Sequence, residues 1–107
     1  GLIIEDGAFG GLISLTSLTI NEGVEKINGG FEGTLITELI IPNTLTEIGS
    51  RTFNDNLLLT TVTIPDSVIS IGDEAFIGCD NLNSVELLTG TILGVDSFPT
   101  NTLITYR

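Results

Sequence analysis

The sequence predicts a β-rich solenoid: a right-handed coil of about four to five turns of 22–23 residues, with a parallel sheet of short strands on one side and turns or 3₁₀ segments on the other. Three observations predict it. All five phenylalanines, Phe9, Phe31, Phe53, Phe76 and Phe98, fall at gaps of 22, 22, 23 and 22 residues, and a fixed period in the twenties is the signature of stacked structural repeats. The stretch "LIIPNTLTEIGSRTF" (Leu39 to Phe53) returns as "VTIPDSVISIGDEAF" (Val62 to Phe76), keeping Ile-Pro, Ile-Gly and Phe while the residues between them change. A short alternating run follows each of the first four phenylalanines: Leu18–Ile20, Leu39–Ile41, Val62–Ile64 and Val85–Leu87.

Each element of one coil follows from its residues. Alternation with period two marks a half-buried strand, so Leu18 and Ile20, Leu39 and Ile41, Val62 and Ile64, and Val85 and Leu87 point inward. A further aliphatic stands three residues before each run, at Leu15, Ile36, Leu59 and Leu82. Proline closes two strands, at Pro42 and Pro65, because it has no N–H to give a ladder. An extended leg comes next, ending on an aliphatic (Ile4, Ile27, Ile48, Ile71, Leu93) and, in three coils, a glycine (Gly49, Gly72, Gly94). The phenylalanine corner follows. Two residues beyond it stand Gly11, Gly33, Asp55, Gly78 and Thr100, mostly types that tolerate a left-handed turn. The return leg is too short for more than one turn of helix. A single coil cannot bury its apolar face, whereas stacked coils bury it on their copies above and below. The domain expectation is one solenoid segment over residues 1–107, with repeats ending near 20, 41, 64, 87 and 107. The chain opens without Met and with apolar Leu2, Ile3 and Ile4, so it reads as a segment of a longer protein whose terminal repeats could associate end to end.

Composition narrows the function classes. The 107 residues carry a net charge of −11 with only Lys26, Arg51 and Arg107 as cations. A nucleic-acid backbone needs basic residues to neutralise it, as does an anionic membrane surface, so neither is an expected partner. No apolar run reaches the roughly 18 residues of a membrane span, so no membrane insertion by this segment is expected. Charged residues make up 16% of the chain, against about 25% in an average soluble domain, leaving Thr, Ser and Asn to supply much of the polar surface.

The strand runs "LTSLTI", "ITELII", "LTTVTI" and "LNSVEL" share Leu-x-x-Leu-x-Leu spacing, and Ile64 to Leu87 carries Ile-Pro-x-x-Val-x-x-Ile-Gly-x-x-Ala-Phe-x-x-Cys-x-x-Leu-x-x-Val-x-Leu. This grammar resembles the BspA-like, or Treponema-type, leucine-rich repeats, and the resemblance covers almost the whole chain. Two stretches depart from it: Asn21–Phe31 lacks the proline and is one residue short, and Leu88–Arg107 lacks the proline and shortens its return leg. The resemblance implies a leucine-rich-repeat coil in an extracellular or cell-surface protein that adheres to host matrix proteins or to other cells. It supplies no catalytic or binding positions.

Chemistry-bearing residues read as scaffold. Cys79 aligns with Leu12, Thr34, Asn56 and Asn101, which suggests a buried corner whose side chain bonds the backbone. With no His and no second Cys, it lacks partners for a thiol nucleophile or a zinc site. Asp66, Asp73, Glu74 and Asp80 invite a calcium or acid–base reading, but they sit at variable positions of the coil, and a solvated rim suits them better. Only one strand carries Thr-x-Thr, too irregular a ladder for ordering ice. No enzyme and no cofactor is expected.

The expected binding surface is the outward face of the strands: Ser17 and Thr19, Glu38 and Ile40, Thr61 and Thr63, Ser84 and Glu86, extended by Ile104 and Tyr106. A few apolar anchors among polar neighbours suit protein contact better than small-molecule capture. Two alternatives stand beside it: a structural spacer within a larger surface protein, and a hydrolase relying on surface carboxylates.

Overall fold

The computed structural model describes residues 2–4 and 16–107. Phe9, Gly11, Leu12 and Leu15, and the side chains of Leu2, Ile3 and Ile4, lie outside the described residues. The chain is a parallel-strand solenoid with no helix among the described residues. Its strands are β1 (Leu2–Ile4), β2 (Ser17–Thr19), β3 (Val24–Ile27), β4 (Glu38–Ile40), β5 (Glu47–Ile48), β6 (Thr61–Thr63), β7 (Ser70–Ile71), β8 (Ser84–Leu87), β9 (Ile92–Leu93) and β10 (Leu103–Tyr106).

Odd and even strands form opposite walls of the coil. The even strands are the alternating runs, in parallel register: Leu18 beside Leu39, and Val62 beside Val85 beside Ile104. The extended legs do more than connect. They pair into a five-stranded parallel sheet in the order β1-β3-β5-β7-β9, and the aliphatic lattice becomes one register column, Ile4, Ile27, Ile48, Ile71 and Leu93. The backbone of Leu2–Ile4 is therefore taken up by this sheet. Pairing follows from stacking: equivalent legs one coil apart place N–H groups against carbonyls of the coil before, as in Gly49 N–H to Ile27 O at 2.6 Å and Gly72 N–H to Ile48 O at 2.7 Å.

Between the walls lies one continuous apolar core. At its corner the phenylalanines form a column. Phe31 stacks on Phe53 at a centroid distance of 5.6 Å, Phe53 on Phe76 at 5.3 Å, and Phe76 on Phe98 at 5.1 Å. Buried polar side chains satisfy the corner backbone, as buried polar groups must. Thr52 Oγ1 donates to Gly49 O at 2.7 Å, and Ser97 Oγ, one coil-pair later, to Gly94 O at 2.9 Å. Asn56 Nδ2 donates to the carbonyls of Phe31 and Phe53 at 2.9 and 2.8 Å, while its Oδ1 accepts from the Thr34 N–H and hydroxyl.

Two expectations need correcting. Asn101 does not join the buried corner; it is exposed, and the neighbouring Thr102 turns in to donate to Leu82 O at 2.7 Å. The shortened last return leg shifts the local phase. Ile104 does not extend the outward face either: it pairs with inward Val85 and packs against the core, while Leu103 and Thr105 take the outward positions.

Candidate protein-interaction face

All eight residues expected on the strand face are exposed. Their pleat is set by the alternation, because the residues between them are the apolar ones that the core takes. Register aligns them in two columns. Ser17 lies beside Glu38, and Thr61 beside Ser84 beside Leu103; Thr19 lies beside Ile40, and Thr63 beside Glu86 beside Thr105. The apolar members, Ile40 and Leu103, are 48% and 63% exposed.

The face is not one sheet. Its ladder is interrupted between β4 and β6, leaving a two-stranded sheet, β2-β4, and a three-stranded one, β10-β8-β6. The two strands remain neighbours in the stack, yet no backbone hydrogen bond joins them. A notch of about 320 Å³ opens at this place, lined by Leu39, Ile40, Ile41, Asn43, Thr63 and Pro65. Sequence reasoning assumed an unbroken sheet and missed it. Spacing alone does not mark the place: the return leg from Phe31 to Ile36 is one residue shorter than those from Phe9 to Leu15 and from Phe53 to Leu59, yet β4 pairs with β2 and not with β6.

The electrostatics of the face are set by what the three cations do. Lys26 Nζ lies 3.5 Å from Glu47, and Arg51 Nη2 lies 3.1 Å from Glu74, each pair joining adjacent coils. Arg107 crosses the end of the strand face, with Nη1 3.0 Å from Glu86 Oε1 and Nη2 2.6 Å from Asp66 Oδ1, and donates to the Ile64 carbonyl. The hydrogen bonds that Arg107 donates to Asp66 and, less strongly, to Glu86 raise its pKa further above its ordinary value. Every cation is engaged with a carboxylate of its own chain. Glu38, on the strand that gives Leu39 and Ile40 to the notch, makes no ion pair among the described residues.

The chemistry-bearing residues elsewhere hold the scaffold. The Cys79 thiol is buried and donates to Phe53 O at 3.1 Å. Burial pushes its pKa up to about 11, with a smaller push from Asp55 and Asp80 and opposition from a backbone hydrogen bond with Asn56. At neutral pH it is a thiol, and thiolate chemistry is closed to it. The unfolded chain releases this proton near pH 9 and the folded chain only near 11. The contribution to stability is therefore complete below pH 9 and falls away as pH rises through 11, by on the order of 2–3 kcal/mol. Urea denaturation of the native chain and of Cys79→Ala across pH 8–11 should show a steeper loss in the native chain; parallel curves would contradict a buried, protonated thiol. Among the described residues no group of three or more His, Cys, Asp or Glu is placed to hold a metal ion. No described helix is long and apolar enough to cross a membrane.

The family described as the BspA type leucine rich repeat region matches residues 2–105, in six copies. No curated protein and no solved structure matches the chain.

Proposed function

The chain belongs to the BspA type leucine rich repeat family, and from that premise we propose that it is a protein-interaction module of a secreted or cell-surface adhesion protein, binding through the outward face of β2, β4, β6, β8 and β10. The observation that carries this reading is the composition of that face: exposed hydroxyls and acids repeat from coil to coil around the apolar anchors Ile40 and Leu103. Polar surroundings with a few apolar anchors are the anatomy of a protein interface. Repeat solenoids of this family are typically non-catalytic, and several carboxylates here serve the scaffold: Asp73 Oδ1 accepts from the Val95 N–H, and Glu74 pairs with Arg51. Residues 1–107 act as one solenoid segment in this reading, and the partner is a host matrix protein or a neighbouring cell's surface protein. Five strands about 4.8 Å apart span only roughly 20 Å, so each copy binds weakly and strength comes from repetition.

Beads coated with the chain, presented to cells or to immobilised matrix proteins, test the proposal. The variant Glu38→Ala, Ile40→Ala, Thr63→Ala changes exposed side chains only and leaves Glu86 to hold Arg107. It should fold as the native chain does and lose adhesion. Undiminished adhesion by the folded variant would move binding off this face and favour the spacer reading.

A further inference from the structure

Resting on the strand-face reading, we infer that the notch between β4 and β6 is the anchoring point of that face, and that it receives an aliphatic side chain from an extended, cationic segment of a partner protein. Three independent features converge there. The first is apolar shape. Leu39 and Ile41 are nearly buried, Ile40 and Pro65 form walls, and the volume of about 320 Å³ suits a side chain rather than a folded element. Anchors of this kind, seated in pockets near the centre of an interface, carry most of the binding energy. The second is a break in the ladder. It runs from β2 to β4 and from β6 to β10 but not across the notch, so this is where the face is held least tightly by its own backbone. A shallow break of this kind admits an extended segment and not a folded element. Because β4 and β6 still touch, the visitor lies across the strands and inserts its side chain, not a whole strand.

The third feature is charge, which selects the partner. The chain carries −11, and each of its three cations is already neutralised by its own carboxylates. Glu38 lies on the same strand as Ile40 and has no cation. On the opposite side Arg107 reaches the Ile64 carbonyl, one residue from Pro65, but is covered by Asp66 and Glu86. A segment with lysine or arginine flanking its anchor meets an attractive field on approach, whereas an acidic one is repelled.

Amide chemical-shift titration of the whole chain tests this with three probe peptides. One alternates lysine and serine around a central isoleucine, the second has glutamate for lysine, and the third has serine for isoleucine. The first peptide should give saturable shifts centred on Leu39, Ile40, Ile41 and Thr63. The other two, and the first peptide against Ile40→Ala, should bind about tenfold more weakly, the factor that roughly 1.4 kcal/mol supplies. Equal binding by the glutamate or the serine peptide, or no binding by any, would overturn the inference. Shifts confined to Ser17, Thr61 and Ser84 would overturn it while sparing the strand-face reading, and shifts on the five-stranded sheet would overturn both.

Discussion

Replacing Phe53 with alanine is expected to lower the unfolding free energy by about 3–5 kcal/mol, the usual cost of truncating a buried aromatic. Phe53 is fully buried and lies mid-column, its ring stacked on Phe31 on one side and Phe76 on the other. Truncation therefore removes two ring contacts and leaves a cavity bounded by coils that are tied to each other through the five-stranded sheet. Those coils cannot collapse into it without breaking ladder hydrogen bonds, so the cost should sit high in the range. Phe98 stacks only on Phe76 among the described rings and is 7% exposed, so Phe98→Ala should cost less. Urea denaturation of both variants decides it. Equal losses, or a loss at Phe53 below about 1 kcal/mol, would mean that the column does not bear on stability.

Gly72→Ala should also be strongly destabilising, for a reason unrelated to apolar burial. A Cβ on Gly72 would stand 2.6 Å from Ser50 N and 2.8 Å from Gly49 C. Both obstacles are backbone of the preceding coil, which Gly72 N–H also bonds through Ile48 O at 2.7 Å. A flexible side chain could move aside; a ladder-bonded backbone cannot. Overpacking typically costs about 1–3 kcal/mol and occasionally more, and this site belongs at the upper end or beyond. Gly33→Ala is the control. Its Cβ would meet nothing within 4 Å, although its φ is +68°, so it should lose only the roughly 1–2 kcal/mol of a left-handed residue. If Gly72→Ala proved the milder of the two, close coil approach would not be what the Ile-Gly step provides.

The coil was legible because its determinants repeat. Phe, the inward aliphatics and the Ile-Gly step each return at the coil period, and each packs against its own copy, so the period and the column are the same fact seen twice. The exchange of Thr34, Asn56 and Cys79 at one corner position was legible for the same reason: each reaches a carbonyl or amide of the corner. Features that break the repeat were harder to read. The second sheet is built from legs whose outward residues, Lys26, Glu47, Ser70 and Ile92, share no type, so pairing there is dictated by backbone spacing rather than side-chain pattern. The phase shift that turns Ile104 and Thr102 toward the core arises in the irregular last coil. The notch leaves no trace in the side-chain pattern, because the inward apolar positions run through β4 and β6 without a break. The face itself followed from alternation, but which part of it would stand open did not.

Hydrogen exchange of the chain, free and bound to the surface that the coated beads adhere to, tests the central claim most directly. Binding through the strand face should protect amides of Glu38–Ile40 and Thr61–Thr63 and leave Glu47–Ile48 and Ser70–Ile71 on the opposite wall unchanged. Protection of that opposite wall, with none on β4 and β6, would contradict the account.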